Sequence, residues 1–381
     1  MSEIEQHAVA ADHVFDGTIV HSDAAVVVAG PHIISLMPRS ELPRTIAVHE
    51  LPHDAWLAPG FVDLQVNGGG DVLFNDRPTP EAITAIVAAH RKFGTTALLP
   101  TLISDTSAKM DAARQAVQTL VGVAPGVLGI HFEGPFLSPD KAGVHDARLF
   151  RHPTPEDRAA LTAQRKGVML MTLAPERVPP GFITQLAAAG VRVALGHSMA
   201  TYAQTQAAIK EGLTGFTHLF NAMRSLESRE PGPIAVALES PTTWFGMIVD
   251  GVHVDPAILR LALRGTGRPV LVTDAMPPVG GNRSTFTLGG RTITVQDGRC
   301  MTTEGTLAGT ALDMAQAVRN CVRLLDVPLV DALRFASTNP ADVIGLGHML
   351  GKLAPAYRAD MVAFDPNTVD ILATWVAGLP D

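Results

Sequence analysis

Between residues 57 and 346 the chain repeats one rhythm eight times: a short apolar run, then in most cases a segment with helical capping and spacing. The runs lie at 61–67, 96–101, 127–133, 168–173, 191–197, 215–218, 244–249 and 269–274. Short, mostly β-branched or aliphatic, and bounded by Gly or Pro, they read as buried strands. Helical signals follow. Thr79, Pro80 and Glu81 suit a cap, a first position and the positive end of a helix dipole. Ile83, Ile86, Val87 and His90 then form its stripe, and Gly94 ends it. Further helices are expected at 107–121, from Thr154-Pro155-Glu156, at 182–189, at 201–211 and from Asp255-Pro256 to Gly265. After 215–218 a loop through Arg229 is expected, and the eighth helix begins late, near Thr310. Parallel strands need such crossovers, so the pattern predicts a TIM-like (β/α)8 barrel rather than an open sheet.

The two ends of the chain read differently. Residues 1–56 hold short β-branched pieces at 18–20, 25–28 and 32–36, punctuated by Asp16-Gly17, Ala29-Gly30-Pro31 and Pro38. The tail after 347 is β-like again, most clearly at 359–364. We expect residues 1–56 and 347–381 to form one small β-sandwich domain and 57–346 the barrel. An insertion at 284–300 reads as a β-hairpin around Gly289-Gly290, between the eighth strand and its helix.

Composition narrows the class. Of 381 residues 46% are hydrophobic, and the mean hydropathy of +0.20 allows a large core. A net charge of −8 argues against a nucleic-acid or anionic-membrane binder, though a local basic cluster could still hold an anionic substrate. Cys300 and Cys321 sit among small or aliphatic neighbours and read as buried free thiols. The acidic, polar N-terminus is unlike a signal peptide, and no apolar run approaches the ~20 residues of a membrane span. The expectation is a soluble cytoplasmic protein.

The chemistry lies where the runs end. Glu133 closes the third, His197 the fifth and His218 the sixth. Gln65 and Asn67 close the first, Asp250 and His253 follow the seventh, and Asp274 closes the eighth. In a barrel these ends share one rim, the catalytic face. A lone histidine there is usually structural; the coincidence of eight polar residues is not. One Glu and two His make a three-ligand site for a divalent ion with a position left for water. Two-metal barrel hydrolases commonly place His-x-His on the first strand. Here neutral Gln65 and Asn67 stand there, so a single ion on Glu133, His197 and His218 is expected, zinc first, with iron, manganese and cobalt open. Asp274 is the natural general base and then general acid.

The motifs together resemble one family. Pro59-Gly60-Phe61-Val62-Asp63-Leu64-Gln65-Val66-Asn67-Gly68, His131-Phe132-Glu133-Gly134-Pro135-Phe136, Gly196-His197-Ser198, the 217–223 segment Thr-His-Leu-Phe-Asn-Ala-Met, Asp250-Gly251 with His253, and Val272-Thr273-Asp274-Ala275 occur in order. They look like the N-acetylglucosamine-6-phosphate deacetylase branch of the amidohydrolase superfamily, from about residue 57 to Thr310. The resemblance implies metal-dependent hydrolysis of the acetamide to glucosamine 6-phosphate and acetate, in amino-sugar catabolism. It implies substrate contacts from Val144, Asn221, Ala222, His253 and the 307–310 loop Leu307, Ala308, Gly309 and Thr310. Gln65 and His145 are further candidates. It also implies a homodimer in which Arg229 reaches the neighbouring site to bind phosphate.

Three alternatives stay open. A galacto-series deacetylase would share every motif. A cyclic-amide hydrolase would usually want two metals, against Gln65 and Asn67. A non-catalytic barrel scaffold would have no need of the complete ligand set and Asp274.

Overall fold

The computed structural model describes residues 6–381. Eight barrel strands follow one another in chain order: β1 (Phe61–Val66), β2 (Thr95–Ile103), β3 (Gly129–Glu133), β4 (Val168–Leu173), β5 (Arg192–Leu195), β6 (Leu213–Phe216), β7 (Trp244–Met247) and β8 (Arg268–Leu271). Pairing is parallel from β2 through β8. Val66 and Ala275 form a parallel bridge that brings the first strand to the end of the last, and the N–H groups of Asn67 and Gly68 both donate to the Ala275 carbonyl at 2.9 Å. The sheet is thus a nearly closed barrel.

The helices start where local chemistry favours it. Thr154 and Thr201 each form a capping box, with Asp157 and Gln204. Asp255 and Asp313 cap Pro256–Ala262 and Met314–Leu325. The expected loop does run through Arg229, and a helix not anticipated from the sequence, Gly232–Glu239, follows it. Pro231-Gly232-Pro233 reads as a breaker, yet proline in a first turn removes no intrahelical hydrogen bond.

Two compact units are defined by contact density. One comprises the chain to Asp63 with His90–Ala97 and Asp313–Asp381; the other comprises Leu64–Ala89 and Leu98–Leu312. In the first, strands from both chain ends join one eight-stranded sheet. Met361–Phe364 pairs antiparallel with Trp56–Pro59, which pairs parallel with Gln6–Phe15. Alternation along the strands buries both faces: Val9, Ala11 and Val26 on one side, Ala8, Ala10, Ala25 and Val27 on the other. Gln6–Phe15, absent from the expected β pieces, is alanine-rich and has little β signature of its own.

The insertion is larger than a hairpin. Thr285–Leu288 and Arg291–Gln296 pair around Gly289 and Gly290, both in left-handed backbone. Arg299–Thr302 and Leu307–Thr310 then extend them to a four-stranded antiparallel sheet. The expected 307–310 loop is therefore a strand.

Candidate metal centre and active site

Glu133 is the last residue of β3, while His197, His218 and Asp274 each lie just past the end of their strands. All three of the latter sit in left-handed backbone, with φ of +49°, +32° and +51°. That turn swings each side chain away from the strand direction, over the barrel mouth. Both imidazoles reach one carboxylate oxygen: His197 Nε2 lies 3.1 Å and His218 Nε2 2.8 Å from Glu133 Oε1. All three residues are buried. Burial alone would push the Glu133 carboxyl up, but the hydrogen bonds and charge of His197 and His218 hold it well below the ordinary range.

The donor set fits a divalent ion. His197 Nδ1 lies 2.7 Å from the Lys141 carbonyl. A carbonyl only accepts, so Nδ1 carries the proton, and in the neutral ring Nε2 keeps a lone pair. That lone pair faces a carboxylate oxygen, an arrangement that repels unless a cation or proton lies between. Potential donor atoms of Glu133, His197 and His218 lie within 4.8 Å of one another, suited to tetrahedral coordination with one position open.

Asp274 is held beside this cluster by two amides. Asn67 Nδ2 donates to Asp274 Oδ1 at 2.6 Å, and Gln65 Nε2 donates to the same oxygen at 3.1 Å and to Glu133 Oε2 at 3.2 Å. Both amides therefore act as donors to carboxylates. Burial, then the Glu133 charge, push the Asp274 carboxyl up to about 6. His145 packs its ring 4.4 Å from that of His197, with Nδ1 3.0 Å from Ser104 Oγ; burial and the His197 charge push it down to about 3. His253 Nδ1 meets Asp250 Oδ2 at 2.6 Å, while Asp250 Oδ1 accepts from the Val252 and His253 N–H groups.

A cavity of about 370 Å³ opens over these groups. Of the residues singled out in the sequence, Glu133, Val144, His145, His197, His218, Asn221, Ala222, His253, Asp274, Leu307 and Gly309 line it. Four do not. Ala308 points into an apolar cluster behind the wall. Thr310 donates its hydroxyl to the Thr273 carbonyl and its N–H to the Asp274 carbonyl, bracing that turn. Gln65 lies beneath the two carboxylates it bridges. Arg229 is exposed, on a segment pinned by Glu230, which accepts from the Tyr202 and Gly232 N–H groups. Among the described residues no Lys or Arg lines the cavity.

Sequence reasoning missed Ile103, Gly143, Ile248, Met276, Gly305 and Thr306, which also line it. It missed a buried polar chain below: Leu64 carbonyl to His131 Nδ1 at 3.0 Å, His131 Nε2 to Thr172 Oγ1 at 2.8 Å, and Thr172 Oγ1 to Thr217 Oγ1 at 2.6 Å. Burial pushes His131 down to about 4, so the ring is neutral. Thr at both 172 and 217, inside otherwise apolar runs, was the available signal.

Comparison with known proteins agrees with this geometry. The Amidohydrolase family model matches residues 56–381. An N-acetylgalactosamine-6-phosphate deacetylase from Shewanella sp. (strain ANA-3) is 43% identical over 326 residues, 84% of this chain and 82% of that protein. An N-acetylglucosamine-6-phosphate deacetylase from Haemophilus influenzae is 34% identical over 361 residues, 93% of this chain and 94% of that protein. The crystal structure of N-acetylglucosamine-6-phosphate deacetylase from Pasteurella multocida superposes with a TM-score of 0.95 at 34% identity, over 99% of both chains. With its barrel, its rim carboxylates and histidines and these relatives, the chain belongs to the amidohydrolase family.

Proposed function

We propose that the protein hydrolyses the acetamide of N-acetylglucosamine 6-phosphate to glucosamine 6-phosphate and acetate. The observation that carries this reading is the placement of Asp274, fixed by Asn67 and Gln65 beside the Glu133, His197 and His218 cluster under a sugar-sized cavity. Those three residues would hold one divalent ion per subunit, zinc first, with iron, manganese or cobalt as alternatives. When bound it supplies Lewis acidity and a water of lowered pKa.

The chain's own groups do the rest. Ionised Asp274 takes a proton as water adds to the acetyl carbon. It then delivers that proton to the nitrogen as the C–N bond breaks, so that acetate and the free amine leave. A carboxyl raised to about 6 is suited to both halves of that transfer near neutral pH. Asn221 and His253 orient the sugar, with Val144, Ala222, Leu307 and Gly309 around it; Ala308 and Thr310 support that wall from behind. The phosphate needs a cationic partner, and among the described residues no Lys or Arg lines the cavity. A homodimer in which Arg229 reaches the neighbouring site meets that need. A phosphosugar is too charged to cross a membrane unaided, so the enzyme works in the cytoplasm.

The galacto epimer is the second reading, favoured by the Shewanella relative at 43% identity. Acetate release from both N-acetylhexosamine 6-phosphates, with metal analysis, tests both. Release from neither rejects the deacetylase reading, and faster release from the galacto epimer moves the assignment to that series.

A further inference from the structure

The cavity wall beside the two carboxylates is apolar. Ile103 is the Cα partner of Glu133 across β2 and β3, so both side chains leave the sheet on the same face. Asn75 clamps its backbone: Nδ2 donates to the Ile103 carbonyl at 3.1 Å, and the Ile103 N–H donates to Asn75 Oδ1 at 3.0 Å. Met276 lies two residues beyond Asp274, its N–H donating to the Thr310 carbonyl at 2.9 Å. A Cβ at Gly309, whose φ is +62°, would come within 2.7 Å of Met276 Cγ and Cε. Only bare backbone lets the thioether lie there. Behind both residues, Leu288, Ile293, Cys300 and Ala308 of the insertion sheet belong to the same buried cluster, with Val144 packed against it. The insertion sheet thus packs against both residues.

In an N-acetylhexosamine 6-phosphate the acyl methyl is the one purely apolar group. It is a single C–C bond, about 1.5 Å, from the carbon under attack. That carbon must sit between Asp274 and the Glu133 cluster, so the methyl meets a surface next to both. We propose that Ile103 and Met276, backed by the insertion sheet, form the seat of the acyl methyl and set the length of acyl chain accepted. This rests on the deacetylase reading above. Ile248, which lines the cavity from beyond β7 and lies outside that cluster, is the competing apolar surface.

One methylene in a close-packed apolar pocket discriminates by about 10–200-fold. The test is kcat/KM for the N-formyl, N-acetyl, N-propionyl and N-butyryl amino-sugar 6-phosphates, in whichever epimeric series is hydrolysed faster. Wild type, Met276→Ala, Ile103→Val and Ile248→Ala are compared, with melting temperature and metal content alongside. The wild type is expected to lose about tenfold or more from acetyl to propionyl. Met276→Ala should raise the propionyl-to-acetyl ratio about tenfold, and Ile103→Val should raise it less, in the same direction. Should Met276→Ala fail to fold, the milder Ile103→Val carries the test. A ratio unmoved in the wall variants, or moved only in Ile248→Ala, overturns the seat. Normal acetyl turnover with a flat acyl profile overturns it while leaving the deacetylase reading intact; no turnover of any acyl sugar phosphate overturns both.

Discussion

Asn67 Nδ2 lies 2.6 Å from Asp274 Oδ1, a hydrogen bond from the end of the first barrel strand to the end of the last. With Gln65 on the same oxygen, it leaves Oδ2 as the oxygen free to exchange a proton. Asn67→Ala is expected to lower kcat by about 10–100-fold, the usual loss when a supporting partner of a metal site is removed. Metal content should hold. Steady-state kinetics with metal analysis checks this; an unchanged kcat would show that Asp274 needs no such support.

Removing a ligand should act differently. Glu133→Ala leaves two imidazoles facing a gap, and we expect metal affinity to fall by more than the ~10–100-fold typical of a lost supporting contact. Chelator competition reads the affinity directly. Unaltered stoichiometry under competition would take Glu133 out of the ligand set.

Asp274→Asn should keep the metal and lose about 10²–10⁴ in turnover, the range for a general acid–base group. Its ionisation also marks stability. Burial and then Glu133 raise the folded carboxyl from the ordinary 3.8 to about 6. The folded state therefore binds this proton more tightly than the unfolded chain. That contribution is fully present below 3.8 and is lost as pH rises through about 6. An added cation offsets the loss, so zinc should raise the melting temperature of metal-free protein more at about pH 7.5 than at about pH 5. Equal gains at both would contradict the raised carboxyl, and the Asn variant should lose this part of the difference.

Arg229→Ala tests the phosphate contact. Hydrogen bonds to charged groups contribute about 1.5–3 kcal/mol, so kcat/KM for the phosphorylated sugar should fall by roughly 10–100-fold. The unphosphorylated sugar should change little. Parallel losses on both would remove Arg229 from phosphate binding.

Much of this was legible beforehand because strands announce themselves by apolar runs and their ends by a polar residue. Glu133, His197, His218 and Asp274 were visible for that reason, and the helix openings at Thr154 and Asp255 were visible from their capping residues. Apart from Thr172 and Thr217, what escaped notice had no side-chain signature. The atom that orients His197 is the Lys141 carbonyl, and any residue there would supply one. Ile103 and Met276 look like ordinary core residues, since their place in the wall comes from pairing across β2–β3 and from the turn after β8. Leu307–Thr310 reads as a loop from the family resemblance alone, and its pairing with the neighbouring strand has no local signal.

The left-handed corners at His197, His218 and Asp274 have a cost for the molecule as a whole. Non-glycine residues in that conformation are strained by about 1 kcal/mol or more each, and here three such residues are those proposed to bear the chemistry. Glycine at any one would ease the corner and abolish the function it serves. Selecting variants for heat resistance alone should therefore drift toward relaxed, inert barrels, and selection for turnover should keep this enzyme below the robustness its architecture permits.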